Sequence, residues 1–257
     1  MTEPVVVREQ RGAVLVLRLN RPEARNALNG ALISELGLGF VAAEEDPEIR
    51  CVVLTGTGDR AFCAGMDLAD FASGAGGEMD PAGTAAFGRF MAGEVTVPVV
   101  GAAQATAVTG GFELLLACDV VVASDSAKFG LPEVKRGLFA AGGGVFLGTR
   151  IPLAIALELT LTGDPVDPAR AAALGLINAA VPADEVVDAA VALAERIARN
   201  GPLALQATKQ MVRTAVADYS KAQALQGEWQ PKVFGSNDAR EGATAFIEKR
   251  DPVWTGT

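Results

Sequence analysis

The chain has 257 residues, 50% hydrophobic and 21% charged, which suits one large α/β domain or a domain with a helical appendix. A net charge of -9 with no run of Lys or Arg argues against a nucleic-acid partner, because phosphate binding wants a basic face. The absence of histidine removes every Ser–His or Cys–His scheme, so acid–base chemistry must come from other groups. Residues 1–12 lack an apolar segment of the kind that makes a signal peptide. Residues 13–19 (AVLVLRL) read as a strand between Gly12 and Asn20. Asn29-Gly30 then opens a helix with Leu32, Leu36 and Phe40 at four-residue spacing, ending near Pro47. Cys51 to Thr55 is a second buried strand closed by Gly56 and Gly58. The Gly- and acid-rich segment 70–84 reads as a loop or lid, followed by a short helix over 85–93.

The uncharged stretch 95–112 is broken by Pro98, Gly101, Gln104 and Gly110-Gly111, so it reads as a strand and a glycine turn, not a membrane span. Pro98 to Gln104 is the third strand, Phe112 to Ala117 a helix, and Asp119 to Ala123 a fourth strand. Strand–helix–strand alternation predicts a mixed, mainly parallel sheet. Beyond residue 150 the pattern turns helical. Asp184 is the expected N-cap for 185–199, Gly201-Pro202 restarts a helix, and a last helix covers 238–249. The expected division is a core over 1–190 and a helical oligomerisation region over 191–257. The three cysteines, Cys51, Cys63 and Cys118, have no metal-ligand spacing and predict a reduced, cytoplasmic chain.

Glu113 and Glu133 each sit beside a glycine or proline turn, not in a solvated charge run. Glu113 lies in an apolar stretch (Thr109-Gly110-Gly111-Phe112, then Leu114-Leu115-Leu116), where a carboxylate is paired or functional. Its alternative is a structural hydrogen bond or ion pair; for Glu133 the alternative is a surface loop. Gly110-Gly111, at a strand–helix junction, leaves backbone N–H groups open to a developing oxyanion or else packs as a tight turn. The Ala64-Gly65-Met66 turn invites the same two readings. Two carboxylates and two such turns point to an enzyme that handles a carbonyl. Cys63 has no base to activate it, and Gly142-Gly143-Gly144 lacks phosphate-loop spacing.

Several motifs occur in order along nearly the whole chain: Asn20-Arg21-Pro22 with Asn26-Ala27-Leu28, Phe62-Cys63-Ala64-Gly65-Met66-Asp67-Leu68, and Gly110-Gly111-Phe112-Glu113-Leu114. Ala127-Lys128-Phe129-Gly130 leading to Pro132-Glu133, Gly142-Gly143-Gly144, Ala172 to Ile177, and Phe246-Ile247-Glu248-Lys249-Arg250 follow. Together they resemble the enoyl-CoA hydratase (crotonase) superfamily. The resemblance implies a spiral of ββα units with a C-terminal helical trimerisation region, assembled as a homotrimer or a dimer of trimers. It implies an acyl-CoA substrate and no separate cofactor or metal. It makes the N–H groups of Met66 and Gly110 the oxyanion hole and Glu113 and Glu133 the catalytic pair. Glu133 is the expected proton donor to the α-carbon and Glu113 the water-activating partner. Arg25, Ala64, Asp67, Leu68 and Lys249 are the expected substrate contacts, with Arg60 a further candidate for the CoA phosphates. The implied reaction is hydration of a 2-trans-enoyl-CoA. The alternatives are a Δ3-Δ2-enoyl-CoA isomerase, another crotonase-type reaction, and an acyl-CoA-binding protein without turnover. Three departures from the family pattern, Thr109, Phe112 and Leu138-Phe139-Ala140-Ala141, are expected to reshape the acyl pocket.

Overall fold

In a computed structural model, residues 3–67, 70 and 79–257 are described. Six strands form the main sheet: β1 (Val6–Arg11), β2 (Val14–Leu19), β3 (Cys51–Gly56), β4 (Val99–Ala103), β6 (Val120–Ser124) and β8 (Ala179–Val181). They lie in the order β1-β2-β3-β4-β6-β8, and only β1 and β2 run antiparallel. A second sheet consists of β5 (Ala107–Val108) paired in parallel with β7 (Phe129–Gly130).

The central strands read as unbroken aliphatic runs because both faces of the sheet are covered. Leu15, Leu17, Leu19, Val52 and Leu54 turn to one face, where they meet Leu32, Leu36 and Phe40 of α1 (Gly30–Glu45). The Asn29 side chain caps α1, accepting from the Leu32 N–H at 3.0 Å. Val14, Val16, Cys51, Val53, Val100 and Val122 alternate to the other face. That face is sealed by helix Val186–Ala198 through Val186, Ala190, Val191, Ala194 and Ala198. The expected boundary between 190 and 191 therefore falls inside a helix that belongs to the core.

Among the described residues the other helices are α2 (Pro81–Met91), α3 (Gly110–Ala117), α4 (Leu153–Thr162), α5 (Pro168–Ala173), α6 (the sealing helix), α7 (Pro202–Ala217), α8 (Tyr219–Phe234) and α9 (Asn237–Glu248). The expected helix over 85–93 begins earlier, because Asp80 caps α2 by accepting from the Gly83 N–H at 2.7 Å. Asp184 is not the cap of α6; Glu185 holds that position without a side-chain capping bond. Residue 68 and most of the expected 70–84 loop lie outside the described residues.

Helix α7 is tied to the sheet by charge. Asp119, just before β6, accepts from Lys209 Nζ at 2.8 Å and from Arg213 Nε at 2.8 Å, and also takes the Val99 N–H at 2.7 Å. Arg213 also donates to the Ala117 carbonyl, and Lys209 to that of Val97. Removing the carboxylate strands two cations in a largely desolvated place. Breaking a fully buried pair costs about 3–5 kcal/mol, and partial exposure here reduces that to roughly 2–3 kcal/mol. Asp119→Ala should lower the unfolding free energy measured in urea by that much; an unchanged value would mean that α7 is held by packing alone.

Candidate active site

The site is assembled by four chain segments laid side by side in parallel. β5 pairs with β7, Ala107 opposite Phe129 and Val108 opposite Gly130. Cys63 bridges Ala107 in parallel, and Met66 bridges Leu28 in parallel. Segments that run together leave the sheet together. Thr109 to Glu113 and Leu131 to Glu133 consequently emerge at the same end, as does the 64–67 turn. Twenty residues of sequence between the two glutamates thus become close neighbours, and the negative charge of Glu113 is felt at Glu133.

Glycines make this convergence possible. A Cβ on Gly111 would lie 2.0 Å from the Cys63 carbonyl oxygen, so only glycine lets α3 begin against the 63–67 turn. Gly65, at φ +90, would carry a Cβ 3.1 Å from the Gly110 nitrogen. Among the described residues neither the Met66 N–H nor the Gly110 N–H has an acceptor. Two backbone donors on adjoining turns, one of them at a helix N-terminus, can bind a developing oxyanion.

Glu113 enters from the first turn of α3 and is 6% exposed. Its Oε1 accepts the Gly144 N–H at 2.9 Å. A Cβ on Gly142 would come within 2.6 Å of its Oε2, so the 142–144 glycines form a close backbone cradle. Burial pushes the Glu113 carboxyl above the ordinary carboxylate range, opposed by the N–H groups of Gly144 and Gly142. Glu133 sits in a 3-10 turn over Pro132–Arg136, half-buried and not on the surface. Its Oε2 is buried with no hydrogen-bond partner among the described residues. Burial pushes its carboxyl up as well, and the charge of Glu113 adds to the rise; its backbone hydrogen bond and Arg136 oppose it.

The remaining expected contacts distribute unevenly. Ala64 donates its N–H to the Arg25 carbonyl at 3.1 Å, which puts the exposed Arg25 beside the oxyanion turn. Asp67 forms an ion pair with Arg21 at 2.9 Å, and Arg21 also donates to the Ala27 carbonyl. Asn26, fully buried at φ +55, donates to the carbonyls of Thr57 and Ala61 and accepts from the Arg21 N–H. These bonds lock the 21–28 turn against the 64–67 turn. Leu68 lies outside the described residues. Lys249 caps the end of α9, and no hydrogen bond joins it to the 25–28 or 64–67 turns among the described residues. Phe112, expected to reshape the acyl pocket, is buried and packs against Phe129 with ring centroids 5.6 Å apart. Phe139 is 67% exposed. Burial pushes the Cys63 thiol up to about 12, which leaves it inert. No group of three or more metal-ligating side chains gathers among the described residues. A cavity of about 780 Å³ opens behind Glu113, bounded by Leu116, Leu147, Lys209 and Arg213, but Met66, Gly110 and Glu133 are not on its wall. Sequence reasoning missed Gly144 as the partner of Glu113; the glycine cluster was visible, but its tertiary target was not.

A carboxyl that ionises less readily in the folded chain than in the unfolded one favours folding at low pH. That contribution is lost as pH rises through the folded value. Glu113→Gln removes the charge and can still accept from Gly144. Near pH 8 the variant should exceed the parent by on the order of 1 kcal/mol in urea, with the gap closing near about pH 4. A variant less stable at both values would mean that the carboxylate is a net structural asset.

Residues 9–257 match the enoyl-CoA hydratase/isomerase family. The carnitinyl-CoA dehydratase of Proteus mirabilis is 38% identical over 252 residues, covering 96% of each chain. The enoyl-CoA hydratase EchA19 of Mycobacterium tuberculosis is 38% identical over 255 residues, covering 97% of this chain and 96% of that one. A crystal structure of an enoyl-CoA hydratase from Mycobacterium tuberculosis H37Rv superposes with a TM-score of 0.89 at 44% identity, over 99% of this chain and 100% of that one. An enoyl-CoA hydratase from Mycobacterium marinum gives 0.90 at 43% identity, over 99% and 100%.

Proposed function

The chain belongs to the enoyl-CoA hydratase/isomerase (crotonase) family and has its fold, and from that premise we propose that it adds water across the 2,3 double bond of a 2-trans-enoyl-CoA. The observation that carries this reading is the pair of desolvated carboxyls, both pushed above the ordinary carboxylate range, beside two N–H groups without an acceptor among the described residues. The Met66 and Gly110 N–H groups receive the thioester oxygen as it gains charge; a single donor of this kind is worth about 2.7–4 kcal/mol. Glu113 is the better anion of the pair, because Gly144 donates to it. It takes the proton from water as the oxygen bonds to the β-carbon. Glu133, with a buried Oε2 that no described residue donates to, favours the protonated form and delivers its proton to the α-carbon. The protons then redistribute between the two groups, so the cycle needs no separate cofactor. The Proteus relative is a carnitinyl-CoA dehydratase, named for the reverse direction, and microscopic reversibility lets the Glu113–Glu133 pair of this chain work in either direction.

Arg25 and Ala64 flank the oxyanion turn and suit the thioester end of the CoA arm. Lys249 is a phosphate contact in this reading, as Arg60 is. Exposed Phe234, Phe246 and Ile247 on α8 and α9 support self-association into a homotrimer or a dimer of trimers. Three buried free thiols support a reducing compartment, taken here as the cytoplasm. No helix among the described residues is long and apolar enough to cross a membrane.

Loss of the conjugated enoyl-thioester absorbance tests the reaction. Glu113→Gln and Glu133→Gln should each lower kcat by about 10²–10⁴-fold, the usual worth of a positioned acid or base. If Glu113→Gln keeps its rate on a 3-enoyl-CoA while Glu133→Gln loses it, the protein is an isomerase working with one carboxyl. Acyl-CoA binding without any turnover would make it a binder. In a hydratase, kcat/KM should be bell-shaped, since the pair works holding one proton. The rate falls on the acid side when both carboxyls are protonated, and on the alkaline side when both are ionised. The acid limb should lie above the ordinary carboxylate range, because burial raises both groups.

A further inference from the structure

Thr109 has a backbone that its side chain disfavours. At φ 51 and ψ -133 it occupies a region that glycine adopts freely and a β-branched residue does not. The surroundings force this geometry. The Thr109 N–H donates to the Gly130 carbonyl at 2.9 Å, and its own carbonyl accepts from the Phe112 and Glu113 N–H groups at 2.9 and 3.0 Å. A glycine would satisfy all three bonds without strain, so the threonine must contribute something through its side chain.

That contribution is the hydroxyl. Thr109 Oγ1 donates to the Ala64 carbonyl at 3.1 Å. It also fills the space beside Gly65, where a Cβ would stand only 1.4 Å from it. Ala64 and Gly65 immediately precede Met66, and Thr109 immediately precedes Gly110. One side-chain bond therefore links the two turns that each carry one oxyanion donor.

We propose that Thr109 is a positioning residue whose hydroxyl sets the separation of the Met66 and Gly110 N–H groups. The proposal rests on the oxyanion-hole reading given above. Two donors on separate turns are useful only if their spacing matches one oxygen, and errors well below 1 Å erode such a site. The hydroxyl makes no contact with the reacting atoms; it acts through the Ala64 and Gly65 peptides.

Three substitutions separate this role from a structural one. Thr109→Val keeps shape and strain but loses the hydroxyl. Thr109→Gly loses both hydroxyl and strain. Thr109→Ser keeps the hydroxyl. With a 2-enoyl-CoA, Val and Gly should lower kcat by about 10–100-fold and move KM by less than about 3-fold; Ser should restore kcat to within about 3-fold of the parent. Thr109→Gly should also raise Tm, so that activity and stability move in opposite directions. A Val or Gly variant with parental kcat overturns the proposal, and so does a loss that Ser fails to rescue.

A second readout needs no turnover. A 3-oxoacyl-CoA forms an enolate whose near-ultraviolet band reports the hole directly. The band should be strong for the parent and Ser and weak for Val and Gly. If the parent hydrates no enoyl-CoA but gives this pattern, the hydratase reading fails and the Thr109 role stands. If the parent gives no band, or all four proteins give the same one, the Thr109 role fails.

Discussion

Parallel pairing of short strands is the constraint on which this site depends. β5 and β7 contribute only two residues each, yet their shared direction brings Glu113 and Glu133 to one end of the sheet. The bridges from Cys63 to Ala107 and from Leu28 to Met66 extend the same logic to the oxyanion turn and the 21–28 turn. A one-residue slip of β7 against β5 would turn alternate side chains to the opposite face. The large main sheet supplies the rigidity that makes such a slip costly, since its central strands are buried on both faces.

The site works against the stability of the fold. Two carboxyls sit in a desolvated setting, and the charge of Glu113 further disfavours ionisation of Glu133. Nearby backbone relieves them unequally. Gly144 donates to Glu113, whereas the buried Oε2 of Glu133 has no donor among the described residues. That asymmetry is useful. Identical environments would leave the proton equally placed on either group, and neither would be reliably acid or base.

Much of the fold was legible because the main strands and α1 are governed by local pattern. The aliphatic runs at 14–19 and 51–56 and the spacing of Leu32, Leu36 and Phe40 name their elements without tertiary help. β1 was missed because Val6–Arg11 (VVREQR) is mostly polar and lies on an edge, where burial imposes little pattern. Helix α8 was missed because it has only one buried residue, Ala222, and so shows no apolar stripe. The two glutamates and their glycine turns were legible from their apolar setting. Their partners were not, since Gly144 meets Glu113 across 31 positions and Thr109 meets Ala64 across 45. Phe112 misled for a related reason: adjacency to a catalytic residue on a helix says nothing of which way the ring points. Neighbours in a helix are separated by about 100°, and here the ring faces Phe129 in the core.

Most of this site is backbone, and that decides which positions have room for a side chain. Gly111 and Gly142 stand where a Cβ would strike the Cys63 carbonyl or the Glu113 carboxylate, and there space alone forbids a side chain. At Gly65 a Cβ would strike the Thr109 hydroxyl, and the positive φ disfavours one besides. Position 109 differs, because the void next to Gly65 admits the threonine hydroxyl. A glycine at that position would satisfy the positive φ of the backbone but leave that space unfilled. Where the void is open, a residue can accept backbone strain in return for a hydrogen bond between two turns. Two of the three departures in this chain follow that division: Phe112 turns towards the core and Thr109 into the space beside Gly65, while the close contacts at 111 and 142 are glycines.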